Sequence, residues 1–296
     1  MENSYIIIAG GNGLIGKRLA AHLFEKGYHV GILSRNPQTE NAFYWNPDKK
    51  EIDQSILPKI THLINLTGAS IASERWTEKR KKEIIDSRVN PTFFLHSLLP
   101  QLTKLKHYIT ASGVSCYGIN DIHKKYTEQD SFGNDFLSEV VKKWENASDL
   151  FAEQCLVSKV RISPVLDSKG GMIDAMKKPI GLGFGAILGS GNQWMPWIHQ
   201  KDLSTLFEFI IKQKLGGPFN AVAGNETNRK FTQLLAQQMK RPLLLPALPE
   251  FAAKLIFGEM ATLLIDGVQI SNSKIINEGF EFQYTKLDEA LKQVLM

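Results

Sequence analysis

Seven residues near the start of the chain restrict its fold more than any other stretch. Gly10-Gly11-Asn12-Gly13-Leu14-Ile15-Gly16 has glycine at every third position. The apolar run Tyr5-Ile6-Ile7-Ile8-Ala9 comes before it. After it, Ile15, Leu19 and Leu23 recur at helical spacing up to Gly27. A buried strand, a glycine turn and a helix are therefore expected in that order. In such a turn Gly10 permits the sharp bend and Gly13 lets the backbone approach a pyrophosphate. Gly16 lets the helix lie close to the strand. Asn12, Leu14 and Ile15 complete the loop, and free amides at the helix start face an anion. A purely structural turn is the alternative.

Strand and helix patterns keep alternating downstream. Residues 28–34, 62–66, 107–112 and 159–162 read as buried strands, and 77–99 and 136–154 as helices, the first disturbed near Pro91. Residues 36–60, with three prolines, read as irregular. This βαβ alternation predicts an α/β fold with a doubly wound parallel sheet, a Rossmann domain over 1–168 whose later elements recur within 200–225. Residues 169–296 are assigned to a smaller substrate-side lobe, with a distinct tail segment from about 240. Glycines, Trp194 and Trp197 mark 169–198 as loops and short elements, and 202–212 and 251–257 as helices.

The second strand ends in Leu33-Ser34-Arg35, with no acidic residue at 34–36. An NAD-preferring site usually places a carboxylate there for the ribose hydroxyls. Arg35 instead offers a planar donor fork suited to a 2′-phosphate, with Ser34 beside it. NADP(H) is the cofactor expected; a solvent-exposed arginine before Pro37 is the bland reading. Leu66-Thr67-Gly68 after the third strand provides a small-residue turn along the same ligand. The chain of 296 residues carries a formal charge of +5, but its basic residues are spread. The densest run, Lys79-Arg80-Lys81-Lys82, reads as a solvated helix face, so no nucleic-acid partner is expected. No apolar run reaches a bilayer span and no secretory signal is visible, so no membrane partner is expected. Two cysteines make neither a disulfide framework nor a metal cluster and suit a reducing cytoplasm.

Together with Arg75-Trp76, Ser87-Arg88, Trp144-Glu145, Gly170-Gly171, Trp197-Ile198-His199 and Gly217-Pro218-Phe219-Asn220, these motifs cover nearly the whole chain. They resemble the extended short-chain dehydrogenases/reductases, and more closely the epimerase-like subfamily with a short C-terminal domain of uncharacterised function. The resemblance implies that Ser34 and Arg35 hold the NADP phosphate and that Glu83 and Arg88 line the cofactor cleft. It also implies that Ala111 and the Pro164-Val165 turn pass the nicotinamide side. Read from spacing alone, Glu83 and Arg88 are five apart on a helix and a surface pair is equally open.

The usual chemistry of that superfamily needs a Tyr phenol, a Lys four residues later and a Ser or Thr hydroxyl. A phenol near pKa ~10 needs the cation to exchange protons near neutrality. Ser112 stands at a strand end, ahead of Tyr117. The helix at 136–154 offers only Phe136 with Val140, or Leu137 with Val141. Tyr117, Glu139, Lys142 and His199 are the substitute proton carriers considered, with Ser112, Tyr117 and His199 the candidate catalytic residues. Two readings follow: an NADP-dependent oxidoreductase or epimerase-like enzyme on a small carbonyl or sugar-like substrate, and an NADPH-binding regulatory or interaction protein without turnover. Substrate and oligomeric state stay open.

Overall fold

The computed structural model describes residues 4–118, 121 and 123–296. The main sheet contains β1 (Tyr5–Ala9), β2 (His29–Ser34), β3 (Ala42–Asn46), β4 (Glu51–Ile52), β5 (His62–Asn65) and β6 (His107–Gly113). Lys125–Tyr126 forms a short β7 outside it, and β8 (Leu156–Ile162) returns to it. Short strands β9 (Val165–Leu166) and β10 (Trp194–His199) precede β11 (Gly217–Ala221); β12 (Gly224–Thr227) and β13 (Gln269–Ile270) follow. The main order is β11-β8-β6-β5-β1-β2-β3-β4. All neighbours are parallel except β3 and β4, which pair antiparallel at the edge. Because β2 and β5 flank β1, the order reverses there and opens a crevice at the carboxyl ends of the strands.

Both faces are covered. The helices are α1 (Leu14–Glu25), α2 (Glu78–Ser97), α3 (Phe136–Asp149), α4 (Gly171–Gly181) and α5 (Gln200–Gln213). Then come α6 (Asn228–Gln238), α7 (Glu250–Phe257), α8 (Thr262–Ile265), α9 (Ser273–Asn277) and α10 (Leu287–Leu295). One core joins Ile6 and Ile8 to Leu19 of α1, Phe207 of α5, Leu235 of α6 and Leu291 of α10. The other joins Ile7 and Leu63 to Phe94 and Leu95 of α2. Alternate residues of β1 thus serve opposite cores, as the period of two requires. Burying one such leucine contributes roughly 1.5–3 kcal/mol, so Leu19 and Leu23 hold α1, and the glycine turn before it, firmly on the sheet.

The structure differs from the sequence expectation in places. Residues 36–60 are not wholly irregular: Ala42–Asn46 extends the sheet and buries Trp45. Helix α7 (Glu250–Phe257) matches the helix expected at 251–257, whereas α4, α6 and the helices after α7 were not expected. Pro91 sits inside α2 without ending it. Among the described residues no helix is long and apolar enough to cross a membrane, and no group of three or more His, Cys, Asp or Glu could hold a metal.

Candidate functional site

The crevice begins at the turn between β1 and α1. Gly10 has φ of +79°, and a side chain there would strike the Leu66 carbonyl oxygen at 2.7 Å. A Cβ on Gly16 would lie 2.5 Å from the Gly10 carbonyl oxygen, so α1 can pack this closely only through glycine. Gly13 differs: a Cβ there would meet nothing nearer than the Gly10 oxygen at 3.3 Å, because the position faces the open crevice. Gly13 is the N-cap of α1, with no side chain to cap it and no acidic residue in the first turn. The amides of Leu14, Ile15 and Gly16 open the helix without intrahelical acceptors, a cradle for an anion.

At the end of β2 the buried Ser34 hydroxyl accepts from Asn12 Nδ2 at 2.9 Å and from the Asn36 amide at 3.1 Å. Both lone pairs are used, so its remaining capacity is to donate. Arg35 is exposed beside it and enters no salt bridge among the described residues. A donor hydroxyl, a free guanidinium and no carboxylate fit a phosphate monoester better than a ribose diol.

Asn65, fully buried at the end of β5, shapes the next wall. Its amide donates to Thr92 and Tyr108, and its oxygen accepts from the Thr67 amide and hydroxyl. This fixes Leu66-Thr67-Gly68. Beneath that turn lies Arg88, donating to the carbonyl oxygens of Ala69 and Ile84 and lying 5.3 Å over the Trp144 ring. A Cβ on Gly68 would stand 2.9 Å from its guanidinium carbon. Burial, then neighbouring Arg80, pull the Arg88 pKa down to about 10. Glu83 is exposed and pairs with Arg80 at 2.8 Å; Arg80 in turn reaches the loop after the Leu66-Thr67-Gly68 turn through Ser73. The basic run on α2 is therefore not uniformly a solvated face, since Arg80 is buried and Lys81 bridges to Glu259 at 2.7 Å.

At the far end, Ser112 and Tyr117 meet in one buried polar cluster. The Ser112 hydroxyl donates to Glu145 Oε1 at 2.6 Å. Arg161 grips the same carboxylate with two bonds, 2.8 and 3.0 Å, and donates a third to the Tyr117 phenol at 3.0 Å. That phenol donates to Asn220 Oδ1 at 2.7 Å, and Asn220 Nδ2 passes on to the Ser271 carbonyl. All five side chains are buried. Burial pushes the Tyr117 phenol well above its ordinary range, and burial likewise raises the Cys116 thiol. Arg161 is held charged by Glu145 despite the burial that opposes it.

Val141 lies against Gly113, one residue past Ser112, and Glu145 contacts Ser112 itself. The stripe Leu137-Val141-Glu145 thus faces the end of β6, whereas Phe136 packs edge-on against Trp76. Arg161 and Asn220 were not singled out as functional from sequence. The available signal was an arginine near the end of a mostly buried strand, where a buried charge must find a partner.

His199 lies elsewhere. It is fully buried as the N-cap of α5, where Nδ1 accepts from the Lys201 amide at 3.2 Å. Nε2 then carries the proton and donates to Gln293 at 2.6 Å, with the ring 3.9 Å from that of Tyr284. Burial lowers its pKa to about 4. Ala111 sits within β6, while Pro164 lies in the turn after β8, Val165 opens β9, and Ile198 N–H donates to the Pro164 carbonyl. The following Asp167 is fully buried and bound at two points by Arg18 of α1, at 2.9 and 3.0 Å.

Comparison with known proteins agrees with this architecture. The family described as NAD dependent epimerase/dehydratase matches residues 6–136, and a domain of unknown function (DUF1731) matches residues 248–294. Epimerase family protein SDR39U1 of Mus musculus is 33% identical over 300 residues, covering 98% of this chain and 99% of that one. Epimerase family protein YfhF of Bacillus subtilis (strain 168) is 34% identical over 299 residues, covering 98% and 97%. The crystal structure of human epimerase family protein SDR39U1 (isoform2) with NADPH superposes with a TM-score of 0.90 at 28% identity, over 98% of this chain and 99% of that one. With its glycine turn in place and its similarity running nearly end to end, the chain belongs to the NAD dependent epimerase/dehydratase family.

Proposed function

We propose that this chain is an NADP(H)-binding protein of the epimerase family in which binding is retained and Tyr-dependent turnover is not. The observation that carries the reading is the end of β2: a Ser34 hydroxyl with only its proton to give, next to an exposed Arg35 that enters no salt bridge among the described residues. There the two would hold a 2′-phosphate, while the amides of Leu14, Ile15 and Gly16 hold the diphosphate across Gly13. Thr67 and Gly68 would border the adenosine side, backed by Arg88. Ala111, Pro164 and Val165 would border the nicotinamide, whose chemistry when bound is hydride exchange. NADPH in the crystal structure of the human relative supports the cofactor assignment.

Chemistry at the nicotinamide end has little to draw on. The only Ser112 proton is committed to Glu145, and the Tyr117 proton to Asn220. Arg161 neutralises the carboxylate and also pulls the Tyr117 phenol downward, but burial outweighs it and the phenol stays well above its ordinary range. Where the Tyr and Lys of the wider superfamily would stand are Leu137 and Val141, which exchange no protons. Loss of general acid–base help typically removes 10²–10⁴-fold in rate, so about that much is missing here. A small carbonyl or sugar-like compound in the crevice would be bound rather than rapidly converted.

Fluorescence titration of NADPH and NADH tests the binding half. A charge-assisted phosphate contact is worth roughly 1.5–3 kcal/mol, so NADPH should bind about tenfold to a hundredfold tighter than NADH. Arg35→Asp should remove most of that preference. Equal affinities in the unaltered protein would overturn the assignment.

A further inference from the structure

An extended NADP(H) would have its two ends held by segments far apart in the chain. The diphosphate amides open α1, whereas Val165 borders the nicotinamide from β9, just ahead of the turn into α4. One buried ion pair joins these segments. Arg18, one turn into α1, donates from Nε to Asp167 Oδ2 at 2.9 Å and from Nη2 to Oδ1 at 3.0 Å, across 149 residues of sequence. Asp167 is fully buried and stands two residues past Val165. It also accepts from the Lys169 amide at 2.8 Å, and Gly170 pairs back to it, so the turn is tight. Burial opposes the Asp167 charge, but the bonds from Arg18 and the Lys169 amide outweigh it and hold the carboxyl below its ordinary value.

The same turn reaches the start of α1. A Cβ on Gly170 or Gly171 would lie 3.5 or 3.7 Å from the side chain of Leu14, the first residue of the helix. Leu14, Ile15 and Arg18 line one small gap of about 10 Å³ together with Val165 and Asp167, and with Leu203 of α5. The helix start and the nicotinamide-side turn therefore share a wall. Seating α1 on the sheet does not require the ion pair, because Leu19 and Leu23 already pack in the main core with Leu203 and Phe207 of α5. A planar fork that grips a buried carboxylate at two points instead fixes where one segment stands relative to the other.

We propose that Arg18 and Asp167 are a positioning pair for the cofactor, setting the span between the diphosphate amides of α1 and the nicotinamide wall at Val165. This rests on the NADP(H) reading above. The pair acts through the segments it joins.

A fragment of the cofactor separates span from anchorage. Adenosine 2′,5′-bisphosphate offers phosphates to Arg35 and to the α1 amides but has no nicotinamide, so it does not use the span. Titration of the unaltered protein with NADPH and with this fragment comes first. Failure of both to bind would overturn the cofactor reading, and this inference with it. In Asp167→Asn, NADPH should bind at least about tenfold more weakly while the fragment stays within about threefold. Arg18→Gln with Asp167→Asn leaves no unpaired charge, should the single variant not fold, and is expected to behave alike; circular dichroism checks both. Emission from bound NADPH, which reports the surroundings of the nicotinamide, should shift toward that of the free cofactor in either variant. Arg18→Lys keeps the charge but loses the two-point grip, and should fall between them and the parent. Equal weakening of both ligands, or weakening of neither, would overturn the inference and leave the pair as a support of α1 alone.

Discussion

The two ends of the crevice use polar groups in opposite ways. At the β1 and β2 end, donors are left over: three helix-opening amides, the Ser34 proton and the whole Arg35 fork. Around the end of β6, each of the candidate donors has an internal acceptor, Ser112 on Glu145 and Tyr117 on Asn220. Unspent donors on a rigid turn are what an anionic ligand needs. Donors consumed in a buried network hold elements together instead, here β6, α3, β8 and β11. On the proposed reading, one end of the crevice serves recognition and the other belongs to the scaffold.

That contrast breaks most visibly at Arg161. Arg161→Met would leave the buried Glu145 carboxylate only Lys159, at 3.8 Å, to offset its charge, a loss of up to roughly 3–5 kcal/mol. Arg35→Met, at an exposed and unpaired position, should stay within about 0.5 kcal/mol. Denaturant midpoints of the two variants check this. Similar costs would mean that the network is not structural.

Acid should act on the scaffold through its histidines. His62, His107 and His199 are buried and neutral, with pKa values lowered from 6.5 to about 4, about 3 and about 4, chiefly by burial. The unfolded chain therefore takes up protons first. Stability is fully present above 6.5, is lost as pH falls below it, and the loss levels off near the folded values. Each histidine adds a slope of about 1.4 kcal/mol per pH unit inside that window, so the three together reach roughly 4 kcal/mol per unit. Chemical denaturation across the range measures the slope. His199→Asn, which can still cap α5, should reduce it by one proton's share.

At the recognition end the expected effect is on binding and leaves the fold alone. Gly13→Val fills crevice space but meets little protein, so circular dichroism should be unchanged. NADPH affinity should fall at least about a hundredfold, some 2.7 kcal/mol. Unchanged affinity would reduce the glycine run to a turn.

The recognition end was readable in the sequence because its signals are local. Gly10, Gly13 and Gly16 act within one turn, and Ser34-Arg35 sits directly after its strand. The scaffold end was not, because its partners lie far apart in the chain: Ser112 with Glu145, Arg161 with Tyr117, Tyr117 with Asn220. Spacing does not reveal pairs separated by 33, 44 and 103 residues. His199 shows the same limit, since its cap is local but its partner Gln293 comes from the last helix. Strand β3 went unread because prolines on either side disguise a five-residue strand, three of whose residues pair with β2.

The central claim is that the crevice binds NADP(H) while its nicotinamide end lacks an available proton donor. Loss of reduced-nicotinamide absorbance from bound NADPH, followed with a panel of small carbonyls and sugar nucleotides, tests it directly. No panel member should speed the loss appreciably over the protein with NADPH alone, and Tyr117→Phe should make no difference. Rapid oxidation that Tyr117→Phe abolishes would contradict it, and would make the buried phenol a working acid.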